Sequence, residues 1–115
     1  MSFKVIYTPE ARIDLRNITE YISNNLSVPE TARKQAGRIM SSIQGLEELP
    51  YRHSVYNDEP WKSQGMRYFP VDNYLIFYLP VEQTQSVHVL RIMYGGRDIS
   101  TQLSDKDRNE GETDN

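Results

Sequence analysis

A cation fixed at the end of a strand is the main chemical feature of this sequence. Arg97 and Asp98 follow Gly95-Gly96, and the glycine pair closes the run Ser86 to Tyr94, SVHVLRIMY. Paired glycines permit the positive φ that turns a chain out of a strand. Arg97 is therefore presented where a site is well placed. Arg91 lies inside the run and Arg67 upstream of it. Their plainer readings are structural: Arg91 along the sheet with its head in water, and Arg97–Asp98 as an exposed pair contributing little.

Acid–base groups are sparse. The two histidines are His53, in a loop with Tyr51, Arg52 and Tyr56, and His88, inside the strand run. The first reads as a surface residue and the second as a satisfied core histidine. Tyr68, Tyr74, Tyr78 and Tyr94 have faces on which bases could stack, although strand tyrosines commonly serve as half-buried packing. No His, Asp or Glu spacing resembles a metal site, no glycine-rich phosphate loop is present, and no cofactor is implied. Cysteine is absent, which removes thiol catalysis and disulfides and suits a reducing cytoplasm.

These residues need elements to hold them. Phe3 to Tyr7 alternates as a short strand. Thr8 and Pro9 then open a helix as cap and first residue, and Ala11, Leu15, Ile18 and Ile22 form its apolar stripe. Ile13 falls opposite that stripe. Ser27-Val28-Pro29-Glu30 has capping-box spacing and opens a second helix that ends near Leu49. Its inner face is Ala32, Ala36, Ile39, Met40, Ile43 and Leu46, and Ala32, Ala36 and Gly37 are small enough for close approach. The short connection predicts an antiparallel helical hairpin. Tyr51 to Ser63 reads as loop.

Three strands follow: Gly65 to Pro70, Asn73 to Val81, and Ser86 to Tyr94. In the last, alternation sets Val87, Val89, Arg91 and Met93 against His88, Leu90, Ile92 and Tyr94. Both sets are largely apolar, so this strand should be an inner one, covered on both faces. The order β-α-α-β-β-β predicts an α+β fold, with a two-helix hairpin packed on one face of a three-stranded antiparallel meander and the first strand joining at an edge. Ile99 to Leu103 adds one helical turn.

Charge divides the 115 residues into a body, 1–103, and a tail, 104–115. Of the 13 basic and 16 acidic residues, two basic and five acidic lie in the tail. The tail carries the whole net charge of −3, and the body is neutral. A polar, acidic tail cannot bury enough apolar surface to order itself, and a neutral body has no global field for nucleic acid. No apolar run is long enough to span a membrane. The N-terminus lacks the charged and apolar regions of a secretory signal.

The pattern V-x-V-L-R-I followed by M-Y-G-G-R-D-I, at Val87 to Ile99, resembles the last core strand of the RelE/ParE superfamily, the toxins of type II toxin–antitoxin modules. R-Y-F-P-V-D-N-Y-L-I-F-Y at Arg67 to Tyr78 is similar to its preceding strand pair, and F-K-V-I-Y-T-P-E-A-R-I-D-L to its first strand and helix. The resemblance spans about Phe3 to Leu103, and L-R-I-x-Y-G-x-R-D is closer to the ParE branch than to the RelE branch.

The resemblance implies a β-α-α-β-β-β toxin that inhibits DNA gyrase by protein–protein contact, is neutralised by a cognate antitoxin, and oligomerises mainly through that complex. Arg67, Arg91, Arg97, Asp98 and Ile13 are the implied target- or antitoxin-binding residues. The alternative is a ribosome-dependent, metal-independent mRNA endoribonuclease of the RelE kind, with Arg67 and Arg97 on phosphate and Tyr94 or His88 moving protons. That branch places an arginine after the tyrosine that opens its middle core strand. Here Tyr74 is followed by Leu75, and Thr101 to Leu103 offer neither the tyrosine nor the histidine-tyrosine pair of that branch. A third reading is an inactive homologue that only binds antitoxin. The acidic pI of about 5.3 points that way, because the family is typically basic.

Overall fold

The pattern of Lys4–Tyr7 and of the three later strands produces one four-stranded sheet. The computed structural model describes residues 2–25, 29–95 and 103, with backbone alone at 22–25, 29, 31 and 32. Its elements are β1 (Lys4–Tyr7), α1 (Pro9–Asn25), α2 (Pro29–Gln44), a 3-10 turn at Gly45–Glu47, α3 (Trp61–Gln64), β2 (Arg67–Val71), β3 (Tyr74–Val81) and β4 (Ser86–Tyr94). The short α3 begins within the stretch Tyr51 to Ser63 expected to be loop and ends one residue beyond it.

The sheet order is β1-β4-β3-β2. β2, β3 and β4 form the antiparallel meander, and β1 joins β4 in parallel at the edge, so the sheet is mixed. Reaching β4 in parallel requires a long crossover, and the helical hairpin is part of it. Asp72, at φ 55, makes the β2–β3 turn, a conformation Asp tolerates better than most residues.

Two apolar clusters cover the two sheet faces. On the helical face, Ala11 and Ile18 of α1 and Ile39 and Ile43 of α2 pack with Leu46 on Phe69, Val71, Ile76, Tyr78, Val87, Val89 and Ile92. On the other face, Met66, Phe77, Met93 and Leu103 are buried together, with Tyr56, Trp61, Tyr68, Leu75 and Leu90 against them. β4 is thus covered on both sides, as its composition requires.

Strict alternation along β4 does not survive. Phe77 pairs with Arg91 while Tyr78 pairs with Val89, so Leu90 is the extra residue of a β-bulge. A bulge shifts the pleat by one position. Ile92 therefore joins Val87 and Val89 on the helical face, and Met93 joins Leu90 on the other.

α2 also differs from expectation at two residues. Met40 is 49% exposed rather than on the inner face. Gly37 is exposed, with no heavy atom within 4 Å of where a Cβ would stand, so it serves no close helix approach.

Candidate functional site

β4 runs past the end of β1, and α1 takes over its exposed edge. Thr8 N–H donates to the Val89 carbonyl at 3.1 Å. The Thr8 hydroxyl caps α1 by accepting from Ala11 N–H at 3.1 Å, and it donates to the Leu90 carbonyl at 3.0 Å. Further along α1, the Asp14 carboxylate accepts from Ile92 N–H at 2.9 Å. Thr8, which caps α1, and Asp14 within it thus continue the ladder that β1 leaves, as buried backbone groups demand.

Arg91 belongs to this arrangement. It donates to Asp14 through Nε at 2.7 Å and Nη2 at 3.0 Å, and the two side chains are 21% and 12% exposed. Hydrogen bonding to Asp14 raises the Arg91 pKa, against the opposing effect of burial. A forked pair of this kind fixes geometry as well as charge. Arg91 is therefore a tie between β4 and α1, with its head in the protein rather than in water.

Arg67 is also committed. Its Nη1 donates to the carbonyls of His53 at 2.5 Å and Tyr51 at 3.3 Å, and its guanidinium lies 5.2 Å from the Tyr51 ring centroid. It fastens residues 51–53 to β2. His53, expected at the surface, is half-buried and stacks on Phe69 with centroids 4.2 Å apart.

The two residues assigned to proton transfer are kept apart. His88 lies within hydrogen-bond distance of the buried Ser86 hydroxyl at 3.1 Å, which in turn meets Thr84 at 2.6 Å. Tyr94 ends the same strand, 48% exposed, with its ring edge-on to Tyr74 at 5.9 Å. They are six positions apart along the strand, about 20 Å, so they cannot act on one substrate bond. Burial, and then the neighbouring phenols of Tyr21 and Tyr94, raise the Tyr74 pKa.

Leu75 packs against the cluster of Met66, Phe77, Met93 and Leu103. Gly95 closes the adjacent turn through its N–H to the Asn73 carbonyl at 2.8 Å. A Cβ at Gly95 would meet Leu75 Cγ at 3.3 Å and the Asn73 carbonyl oxygen at 3.4 Å, so a larger residue there would have to displace them by a few tenths of an ångström.

Ile13 is 48% exposed on α1, as its place opposite the stripe predicts. Tyr21 and Met40 are further exposed apolar residues of the helical layer. Arg97 and Asp98 lie outside the described residues. No group of three or more potential metal ligands occurs among the described residues, and no helix there is long and apolar enough to cross a membrane.

The expected residues therefore do not converge. Arg67 and Arg91 serve the fold, His88 and Tyr94 stand at opposite ends of β4, and Ile13 faces solvent. Asp14 was the residue missed, although its place in the apolar row of Ala11, Leu15 and Ile18 marked it.

Residues 5–99 match the model of the ParE toxin of type II toxin–antitoxin systems, parDE. The chain belongs to the ParE toxin family. Its fold is similar to that of a chromosomal ParDE toxin–antitoxin system from P. aeruginosa, with a TM-score of 0.66 and 21% identity over 81% of this chain and 96% of that one. It is also similar to the RelBE2 toxin–antitoxin complex of Mycobacterium tuberculosis, with a TM-score of 0.59 and 19% identity over 82% and 99%. The isolated E. coli RelE toxin matches with a TM-score of 0.54 and 13% identity over 92% and 98%. No curated protein matches the chain. As a ParE-family member the chain has the α+β toxin fold.

Proposed function

We propose that this ParE-family chain is a toxin that inhibits DNA gyrase by protein–protein contact in the cytoplasm and is neutralised by a cognate antitoxin. The observation that supports this reading best is the surroundings of Leu75. The position where the ribonuclease branch has an arginine is an apolar residue packed against Met66, Phe77, Met93 and Leu103. A phosphate at that place would meet hydrocarbon instead of a cation, and desolvating it without a partner is costly. Arg67, the other inner cation considered for phosphate, already serves two backbone carbonyls.

A protein–protein poison needs no acid–base set. It needs exposed anchors on a rigid frame. Ile13, Tyr21 and Met40 on the helices supply such anchors for the antitoxin. Tyr94, exposed at the end of β4, supplies one for the target, and Arg97, three residues further along the sequence, is assigned to the same contact.

The test is inducible expression in a bacterium whose gyrase matches the source, with growth, DNA-damage response and mRNA integrity followed together. Growth arrest with a damage response and intact mRNA is the expected result. Arrest with cleaved ribosome-bound mRNA would sink the gyrase reading in favour of the nuclease. No arrest would leave an inactive homologue that only binds antitoxin. Co-expression with a small neighbouring reading frame should relieve the arrest.

A further inference from the structure

The outer edge of β2 is covered by a short strap, and an ionisable ring packs just before it. Ser54 to Tyr56 runs alongside β2. Tyr68 N–H donates to the Ser54 carbonyl at 3.1 Å, and Tyr56 N–H donates to the Met66 carbonyl at 2.8 Å. Val55 bridges Arg67 in antiparallel fashion. An uncovered edge would present these same groups to any other strand.

Just before the strap, the His53 ring lies flat on Phe69, with centroids 4.2 Å apart and planes at 12°. Its other neighbour is Tyr78, edge-on at 6.2 Å. The Tyr78 hydroxyl is buried without a well-formed hydrogen bond. The charged groups around His53 are cations. Arg52 adjoins it in the chain, and Arg67 from β2 bonds its carbonyl. Glu82, beyond β3, is engaged by the Tyr51 hydroxyl at 2.6 Å. No carboxylate bonds the His53 ring among the described residues.

We propose that His53 is an acid-sensitive latch: neutral, it stacks on Phe69 and holds the strap over β2, and protonated, it releases the strap and frees that edge. An imidazolium there would be a third cation beside Arg52 and Arg67, part-buried and without a counter-charge. Burial, and secondarily Arg52, lower the His53 pKa in the closed form, in agreement with this geometry. For a base whose pKa is depressed in the closed form, the closed form is fully favoured above the ordinary histidine value of about 6.5 and loses ground as pH falls. Tyr78 stays neutral throughout that range, because burial raises its pKa. The inference does not depend on which target the toxin acts on.

The test is amide exchange of Tyr56 and Tyr68 in the full chain, expressed as protection factors between pH 7.5 and pH 5, with the His53 ring followed by NMR in the same samples. Each unit of depression in the closed form multiplies the open population about tenfold once His53 is protonated. Protection at Tyr56 and Tyr68 should therefore fall with acid in step with His53 titration. His53→Phe, which keeps a stacking ring without a proton site, should hold protection constant. Equal acid loss in His53→Phe would overturn the proposal, as would constant protection in the unaltered chain or a His53 that titrates at or above the ordinary value. Should His53→Phe fold poorly, His53→Gln gives the same comparison without the ring.

Discussion

The Asp14 carboxylate receives donors from the Arg91 side chain and from the Ile92 backbone. Removing it strands a guanidinium and a backbone N–H together, which costs more than the pair's own net contribution. Asp14→Ala should lower stability by about 3 kcal/mol, read as a drop in the urea midpoint at unchanged slope. Arg91→Lys should also destabilise the chain, by about 1 kcal/mol, because an ammonium cannot reproduce the fork. The pair was half legible. An acid within an apolar helical row is a visible anomaly, and so is an arginine inside an apolar strand. Joining them required the distance between α1 and β4, across 77 residues of chain.

Among the elements, β2 is the edge strand of the meander, and its proline sits accordingly. Tyr68 N–H points outward to Ser54, so Pro70, two residues on, lacks a donor on that same outer side, where a strand tolerates proline. Pro70→Val restores the donor and should increase self-association, seen as faster light-scattering growth on warming. The bulge at Leu90 is the opposite case. Nothing in SVHVLRIMY marks it, because apolar residues occupy both faces and either register looks buried. The second apolar face gives a sharper prediction. Leu75→Arg places a cation against Met66, Phe77 and Met93 and should cost about 2 kcal/mol, measured by chemical denaturation. In the toxicity assay it should not produce mRNA cleavage, because among the described residues His88 and Tyr94 lie too far apart along β4 to act on one bond.

Over the whole molecule, burial raises the phenol pKa values of Tyr7, Tyr74 and Tyr78. The folded state then favours the neutral phenol. This contribution is fully present below pH about 10 and is lost as pH rises through the raised values. Stability should fall on the alkaline side, and phenolate absorbance should lag behind that of the unfolded chain. A chain ending at Leu103 discards all of the net charge of −3. Leu103 belongs to the buried cluster, so removing residues 104–115 should leave the melting temperature unchanged, while Leu103→Ala should lower the melting temperature and cost about 2–3 kcal/mol of stability.

What the sequence determined by itself was the element order, the helical hairpin, the meander and the membership of β4 in the core. Those follow from local periodicity, turn residues and caps, which act within a few residues. It also marked Ile13 as exposed, while the family resemblance placed Leu75 where the ribonuclease branch has an arginine. Tertiary structure alone decided that β1 pairs in parallel with β4, that Arg67 and Arg91 are spent on the fold, that His53 is stacked rather than free, and that Tyr94 and His88 never meet. These depend on groups far apart in the chain arriving within hydrogen-bond or van der Waals distance. Such contacts are fixed by how the sheet closes and where the bulge falls, and no local pattern encodes them.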